Sequence, residues 1–252
     1  MMKRSILACA LILLSCILLS GACALADPEW MYPVSLETLR DPQDVLRLVN
    51  RDHLLDASYP DQDIEMYRLV DVTLPVTKGS HCLRQVAHDA LAELFAAAER
   101  AGYSLYVGSS YRNYRTQEVI HYNRVKRMGY DDGYSQIAGA SEHQMGLAAD
   151  VVSWAYKDSF QESFGETLEG IWLRENCANY GFILRYPQEK EQITGVQYEP
   201  WHLRYVGREA ALYMTLNDLT LEEFTEEYQA ALSRYERELE AGQAQREASV
   251  SL

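Results

Sequence analysis

The chain has 252 residues, of which 48% are hydrophobic and 24% are charged. This length and composition suit one domain with a sizeable core plus short extensions, and they exclude a disordered or collagen-like chain. The formal net charge of −14 argues against nucleic acid and anionic lipid surfaces as partners, because like charges repel.

Residues 1–26 have the three parts of a secretory signal peptide. A positive start at Lys3 and Arg4 precedes an apolar run over 6–19, and Ala24-Leu25-Ala26 follows as an A-x-A cleavage site. We therefore predict cleavage after Ala26 and export to the cell envelope or the extracellular space. No later segment has the length and apolar character of a membrane span.

The leader has two other interpretations. Left uncleaved, it would anchor the protein in the membrane, although its apolar run is shorter than the ~20 residues of a full span. Lipid attachment at Cys16 or Cys23 is the other, but neither cysteine follows a convincing lipoprotein box.

Two cysteines, Cys82 and Cys177, lie outside the leader. Export permits a disulfide between them. Lone cysteines are at least as often separate buried thiols, so both interpretations stay open at this point. Neither cysteine lies in a CxxC pattern, which argues against cysteine ligation of a metal.

The central part of the chain mixes helical and strand patterns without strict βαβ alternation, which favours an α+β fold. Apolar spacing and glycine stops predict, in chain order, a helix at about 83–101, a strand at 103–108, a helix at 115–128, a loop at 129–140, a buried strand at 147–152, a helix at 165–180, strands at 182–186 and 196–203 joined by a polar segment at 187–195, and a helix at 208–216.

The two ends differ from this central part. We assign 27–44 to a short N-terminal extension and 45–217 to the main domain. The tail, 218–252, begins with Thr220-Leu221-Glu222-Glu223, a capping-box pattern. Its sparse apolar residues predict a charged, solvated helix that frays beyond Ala241.

The residue types of a catalytic zinc site occur in two short segments, Ser141–Asp150 and Glu199–Tyr205. Zinc accepts imidazole nitrogen and carboxylate oxygen, and a catalytic zinc keeps three protein ligands plus a water. His143, Asp150 and His202 would supply that set. A bare carboxylate in a buried strand is costly unless it is paired or metal-bound, which is the physical reason to suspect Asp150.

Glu199 precedes His202 by three residues, and Pro200 between them would bend the chain so that both side chains converge. A glutamate beside an activated water accepts its proton and later protonates the leaving amine. Small residues between His143 and Asp150, such as Gly146, would let the backbone pass close beneath a metal and its substrate. The residue types alone leave a hydrogen-bonded core of His and Asp equally open.

The remaining histidines have no comparable neighbours in the sequence, and we interpret them as structural: His53, His81, His88 and His121. Trp201 and Tyr205 are aromatic residues beside a strand. We interpret them as core residues rather than pocket walls. No Ser-x-x-Lys, HExxH or GxSxG pattern occurs, which excludes those catalytic motifs.

A resemblance to a known family favours the catalytic interpretation. Four segments, in this order along the chain, carry it: Ser109-Ser110-Tyr111-Arg112-Asn113-Tyr114-Arg115-Thr116-Gln117, Ser141-x-His143-x2-Gly146-x-Ala148-x-Asp150, Gly181-Phe182-Ile183-Leu184-Arg185-Tyr186-Pro187, and Glu199-Pro200-Trp201-His202. They resemble the signature of the VanY-type D-alanyl-D-alanine carboxypeptidases, the M15B zinc metallopeptidases, which include LD-carboxypeptidases. The resemblance covers about residues 45–217.

The resemblance implies a fold and a set of roles. The fold would be a small central, mostly antiparallel sheet flanked by helices, with one Zn²⁺ in a cleft on the sheet. The implied zinc ligands are His143, Asp150 and His202, and Glu199 is the implied acid/base. Arg112 would stabilise the oxyanion or bind the substrate carboxylate, as a planar, permanently charged donor can. Gln117 and Ser141 would bind the terminal residue of the substrate.

The implied reaction is removal of the C-terminal D-alanine from peptidoglycan stem peptides, by a DD- or an LD-carboxypeptidase. The alternatives are a D-Ala-D-Ala dipeptidase or a murein endopeptidase with the same site, and a non-catalytic wall-binding module. The segments 129–140 and 187–195 should form the pocket walls that decide between the enzymes. We predict no nucleic acid and no protein partner.

Overall fold

The computed structural model describes residues 27–59 and 68–250, so the predicted signal peptide lies outside the described residues. Contacts along the chain place Trp30–Tyr235 in one large unit, and the described residues 27–29 and 236–250 belong to a second, smaller unit. None of the helices in the described part of the chain has the length and hydropathy needed to span a membrane.

The strands and helices confirm an α+β fold. The strands are β1 (Leu69–Asp71), β2 (Cys82–Arg84), β3 (Tyr106–Ser109), β4 (Ala148–Val152), β5 (Phe182–Leu184) and β6 (His202–Tyr205). The helices are α1 (Leu36–Leu39), α2 (Gln85–Arg100), α3 (Tyr114–Met128), α4 (Leu168–Asn176), α5 (Glu191–Thr194), α6 (Arg208–Leu216) and α7 (Leu221–Val250), and the longer 3₁₀-helices are Glu142–Met145, Glu162–Glu166 and Cys177–Tyr180.

The main sheet has the strand order β3-β4-β6-β5, and each neighbouring pair is antiparallel. All five residues of β4 are buried, as expected for a strand covered on both faces. β1 and β2 form a separate two-stranded sheet. The prediction of a small antiparallel sheet with helices around it is therefore confirmed.

Helices α2 and α3 lie within two residues of their predicted bounds, and the first two residues of the predicted 83–101 helix belong to β2 instead. In α2, Leu91, Leu94 and Ala98 recur at helical spacing and are fully buried against the sheet. Asn113 caps α3 by accepting a hydrogen bond from the Thr116 backbone N–H at 2.8 Å. Gly129 ends α3 at φ 84°, a left-handed conformation that glycine adopts without steric cost.

The hydrophobic core draws on both ends of the large unit. Val34, from the predicted extension, and Leu221 and Phe224, from the predicted tail, are fully buried in one cluster with Met145 and Leu147. Fully burying a side chain of this kind contributes roughly 1.5–3 kcal/mol. These contacts hold the first turns of α7 against the segment that leads into β4.

Two predicted elements differ from the structure. The strand expected at 196–203 begins only at His202, because Pro200 has no N–H for a ladder and the His202 N–H bonds the Glu199 carbonyl at 3.0 Å in a turn. The helix expected at 165–180 is interrupted, because Thr167 caps α4 through the Gly170 N–H at 3.1 Å and so starts it at Leu168.

The tail helix is longer than predicted. It continues from Leu221 to Val250 instead of fraying beyond Ala241. The stretch after Ala241 is rich in Ala, Gln, Glu and Arg, which have high helix propensity and outweigh Gly242.

The two cysteines are both free, so the disulfide does not form. Cys82 lies 3.4 Å from the Asp71 carboxylate, whereas Cys177 is buried. Burial raises the pKa of the Cys177 thiol to about 12, which keeps it protonated and unreactive.

The capping box that starts α7 generates a stability prediction. The Glu223 N–H donates to Thr220 Oγ1 at 3.2 Å, and the Thr220 N–H donates to the Glu223 carboxylate at 2.9 Å. Thr220→Ala removes the first bond and should lower the free energy of unfolding by about 1 kcal/mol. Thr220→Ser keeps the hydroxyl and should retain most of the stability that Thr220→Ala loses. Urea titration of the two variants measures the difference, and equal losses would contradict the capping role.

Candidate active site

The register of the main sheet places three side chains in one row. Ser109 on β3 pairs with Asp150 on β4, and Asp150 pairs with His202 on β6. Directly paired residues of antiparallel strands point to the same face, with Cβ atoms about 4.5–5.5 Å apart. The row therefore forms the floor of a cleft on the sheet, with the carboxylate of Asp150 at its centre.

His143 reaches this floor from the 3₁₀-helix Glu142–Met145. The His143 Nδ1–H donates to the Ser110 carbonyl at 2.6 Å, and the Arg112 N–H donates to the His143 carbonyl at 3.1 Å. Gly146 ends the 3₁₀-helix at φ 69°, and a Cβ there would lie 2.7 Å from Leu69 Cδ2. The left-handed backbone at Gly146 favours glycine, and any side chain there would have to displace the end of Leu69.

Three potential ligand atoms converge. One each from His143, Asp150 and His202 lie within 4.8 Å of one another, the one such group found among the residues that the structure describes. His143 Nε2 lies 3.3 Å from Asp150 Oδ2, and His202 Nδ1 lies 3.0 Å from Asp150 Oδ1. The ring centroids of the histidines are 5.0 Å apart. The two imidazoles and the carboxylate that the sequence singled out thus face one point.

In each histidine, the ring nitrogen that points away from Asp150, here called the outer nitrogen, already has a hydrogen-bond partner. His143 Nδ1 bonds the Ser110 carbonyl, and His202 Nε2 lies 3.3 Å from the Glu142 carboxylate. Metal-bound histidines usually donate their other N–H to a carbonyl or carboxylate, which fixes the tautomer and the ring orientation. The arrangement leaves one inner nitrogen on each ring for a cation, so these residues fit Zn²⁺.

The charges around the site differ between the two rings. Burial lowers the pKa of His143 to about 4, so this ring is neutral and its lone pair is available near pH 7. Burial also disfavours charge on His202, but hydrogen bonds to Asp150 and Glu142 outweigh it and raise the pKa to about 9. Binding of a cation at His202 Nδ1 therefore releases a proton.

Glu199 lies beside this group, with its Oε2 3.8 Å from His202 Nδ1. The turn at Pro200 brings the two side chains together, as the sequence predicted. Burial raises the pKa of Glu199 to about 7, with a smaller contribution from the negative charge of Asp150. A carboxyl group with such a pKa can both accept and donate a proton near neutral pH.

The other predicted site residues line the same cleft. Arg112 donates from Nη1 to Ser109 Oγ at 2.7 Å and from Nε to Gln117 Oε1 at 3.0 Å. Gln117 in turn donates to the Gln136 carbonyl at 2.6 Å, so it orients Arg112. Ser141 also lines the cleft. It directly precedes the 3₁₀-helix Glu142–Met145, but its side chain makes no capping hydrogen bond to that helix.

The cleft has a volume of about 390 Å³. One wall is a face of α3, and another comes from Tyr134, Ser135 and Gln136 in the loop 129–140, as predicted. No residue of 187–195 is among the described lining residues, so that wall prediction is wrong. Tyr186 and Val196, which flank this segment, line the cleft instead, and so does Trp201, which is also part of the core.

Sequence reasoning missed Glu142, which is buried directly behind His202. Its Oε1 accepts from Arg185 Nε and from Arg204 Nη1, both at 2.7 Å, and all three side chains are fully buried. A signal was present: an acidic residue stands next to a candidate ligand in a stretch of otherwise small or apolar residues.

The other four histidines lie elsewhere, as predicted. His53 contacts Asn50, and His121 contacts the Ser135 carbonyl. His81 bonds the Lys78 carbonyl, and His88 lies beside Asp89. None of them belongs to the metal-ligand group.

Comparison with known proteins agrees with the geometry. The family model of VanY, described as D-alanyl-D-alanine carboxypeptidase, matches residues 80–208. The chain belongs to this family. The match contains every predicted site residue, from Arg112 to His202.

Curated relatives carry the same kind of name. YodJ of Bacillus subtilis (strain 168), a carboxypeptidase by name, is 42% identical over 193 residues, which cover 76% of this chain and 70% of the relative. A D-alanyl-D-alanine carboxypeptidase of Enterococcus faecalis (strain ATCC 700802 / V583) is 34% identical, with 81% of this chain and 75% of the relative covered.

Solved structures are similar as well. The LD-carboxypeptidase LdcB is 40% identical with a TM-score of 0.67, over 74% of this chain and 88% of LdcB. The zinc(II) complex of the vancomycin resistance D,D-pentapeptidase VanY is 34% identical with a TM-score of 0.60, over 72% of this chain and 98% of VanY. This carboxypeptidase is therefore a hydrolase of peptide bonds.

The ligand geometry predicts the metal content of variants. Asp150→Asn and His143→Ala each remove one of three ligands and should purify with little zinc, whereas His53→Ala, at an exposed histidine, should retain it. Elemental analysis of the purified proteins gives the metal-to-protein ratio. One zinc per chain in Asp150→Asn would contradict the assignment.

Proposed function

We propose that this carboxypeptidase removes the C-terminal D-alanine from peptidoglycan stem peptides, using one zinc ion held by His143, Asp150 and His202. One observation carries the proposal: two imidazoles with their outer nitrogens already bonded face the same carboxylate, and a glutamate stands at the open side of the group. The cleft of about 390 Å³ that these residues line argues against the alternative, a purely structural hydrogen-bonded core of His and Asp.

Different side chains have different roles in the proposed hydrolysis. Bound zinc would supply a Lewis acid for the scissile carbonyl and lower the pKa of the attacking water. Glu199 takes the proton from that water and later gives it to the departing amine of D-alanine. Arg112 lies with Nη1 3.9 Å from Asp150 Oδ2, close enough to share the negative charge that develops on the carbonyl oxygen.

The position of Arg112 is fixed before the substrate arrives. Ser109 Oγ and Gln117 Oε1 each accept one of its hydrogen bonds, and its backbone N–H bonds the carbonyl of His143. A donor held in place by the protein costs no reorganisation in the transition state. Ser141 and the second N–H of Gln117 are then available to bind the terminal residue of the substrate.

The proposed substrates follow from the relatives and from the charge. The names of the relatives include D-alanyl-D-alanine carboxypeptidases and an LD-carboxypeptidase that recognises peptidoglycan, and both activities remain candidates for this chain. Such substrates lie outside the cytoplasmic membrane. A signal peptide over 1–26 and action in the cell envelope are accordingly part of the proposal, and the acidic chain is not proposed to bind nucleic acid.

A dipeptidase specific for free D-Ala-D-Ala is less well supported. Recognition of its free ammonium group calls for a carboxylate that has no other partner. Among the described residues that line the cleft, the carboxylates are Glu142, Asp150 and Glu199. The first two bond the histidines, and the third has the catalytic role. A non-catalytic wall-binding module would have no use for Glu199 in this position.

Glu199→Gln tests the acid/base role. Glutamine keeps the shape of the side chain but cannot take a proton, so turnover should fall on the order of 10²–10⁴-fold while zinc content stays the same. Glu189→Gln, at an exposed site in the same region, is the matched control and should be fully active. The assay uses purified pentapeptide and tetrapeptide stems, with and without a chelator.

The product masses decide the reaction. Loss of one alanine from the pentapeptide identifies a DD-carboxypeptidase, and loss of one alanine from the tetrapeptide identifies an LD-carboxypeptidase. A wild-type protein that releases alanine from neither stem, or a Glu199→Gln variant that is as active as wild type, would refute the proposed function.

Arg112→Lys tests whether this side chain acts on the oxyanion. Lysine keeps the charge and loses the planar fork, so turnover should fall by about 10²-fold. A stem peptide with an amidated C-terminus has no terminal carboxylate. If Arg112 acts on the oxyanion, the variant slows the acid and amide substrates by equal factors. A loss confined to the acid substrate would show that Arg112 binds the terminal carboxylate instead.

A further inference from the structure

Directly behind the zinc ligand His202 lies a buried network of four charged side chains. Glu142 stands at its centre: Oε2 lies 3.3 Å from His202 Nε2, and Oε1 accepts from Arg185 Nε and Arg204 Nη1 at 2.7 Å. Glu142, Arg185 and Arg204 are fully buried. Each oxygen of the Glu142 carboxylate thus has its own partners, and the oxygen that faces His202 has little freedom to move.

The network continues to the first turn of α7. Arg185 donates from Nη1 and Nη2 to the two oxygens of Glu222 at 2.9 and 2.6 Å, a bidentate pair. The Glu222 side chain is 14% exposed, so the network ends near the surface. On the other side, Arg204 Nη2 is fixed by the backbone carbonyls of Val45 and Arg47 at 2.8 and 2.9 Å.

The charges of this network balance. Two guanidinium groups face two carboxylates, and the arginines stay charged at any relevant pH. Buried charges rarely add net stability compared with apolar residues of the same size, so their retention calls for another reason. Glu222 shares Arg185 with Glu142. Without Glu222, Arg185 would keep Glu142 as its one carboxylate partner among the described residues, and the Glu142 carboxylate would become a weaker acceptor for His202.

We propose that Glu142 is the positioning residue of His202, and that Glu222 on α7 sets the strength and direction of that contact through Arg185. Glu142 holds the tautomer with a proton on Nε2, so that Nδ1 faces the cation. The inference rests on the zinc site of the proposed function. It goes further, because it makes the C-terminal helix, which lies beyond the matched residues 80–208, part of the metal site.

Glu222→Gln is the main test, because it removes one charge near the surface and keeps the side-chain shape. Zinc-free protein is titrated with zinc in competition with a chelating dye, which gives the zinc dissociation constant. Loss of an outer partner of a metal-bound histidine weakens metal binding about 10- to 100-fold, and we expect the lower end for Glu222→Gln. Glu226→Gln, one turn further along α7 at an exposed position, should bind zinc like wild type.

A second pair of variants separates transmission through Glu142 from a general loss of structure. Glu142→Gln should weaken zinc binding by more than Glu222→Gln, and adding Glu222→Gln to it should cause little further loss, because the path to His202 is already broken. Glu222→Asp keeps the charge and should recover part of the affinity. If Glu142→Gln does not fold, the comparison of Glu222→Gln with Glu222→Asp and Glu226→Gln carries the test alone.

Replacing zinc with cobalt adds a second measurement, which does not depend on the free energy of unfolding. The visible absorption of the Co²⁺ protein reports on ligand geometry, and it should change in Glu222→Gln and stay unchanged in Glu226→Gln. Wild-type zinc affinity and spectrum in Glu222→Gln would overturn the positioning role, and so would equal losses in the Gln variants at 222 and 226. A wild-type protein that binds no zinc would instead overturn the proposed function.

Discussion

The pairing of β4 with β6 is the constraint on which the whole site depends. It sets Asp150 opposite His202, two residues that are 52 positions apart in the sequence. Side chains alternate between the faces of a strand, so a shift of one residue would turn Asp150 into the core on the far side of the sheet. The buried neighbours of β4 on both faces make such a shift expensive, and they thereby protect the ligand geometry.

Several charged side chains are buried close together around this sheet, and they can be buried because they pair with one another. Asp150, Glu142, Arg185 and Arg204 are each almost fully inaccessible, and an unpaired charge at any of these positions would cost several kcal/mol. Each has at least one partner of opposite charge or a histidine within 3.3 Å. The site is therefore stable as a balanced set. A change at one member is therefore expected to affect the others, which is the physical basis of the proposed influence of Glu222 on His202.

The convergence of His143, Asp150 and His202 beside Glu199 could be predicted from the sequence because these residues lie in short motifs. His143 and Asp150 belong to one segment, and Glu199 and His202 belong to one turn shaped by Pro200. The start of β6 at His202 was missed, because the predicted strand 196–203 contains a proline and a turn that leave its boundary open. The left-handed backbone of Gly146 and its contact with Leu69 of β1 also depend on tertiary packing, which local spacing does not encode.

The partners of Glu142, unlike Glu142 itself, have no signal in the sequence. Arg185 follows β5, Arg204 lies in β6, and Glu222 lies in the first turn of α7, so three separate elements must pack together before their charges meet. Residues of this kind look like ordinary surface charges in a sequence. What distinguishes the two arginines is complete burial in the folded chain, with Glu222 largely buried beside Arg185. In this protein Arg185 and Glu142 connect Glu222, in the first turn of the C-terminal helix, to the imidazole of His202. The start of that helix is packed in the core through Leu221 and Phe224, and it therefore belongs to the rigid frame around the imidazole.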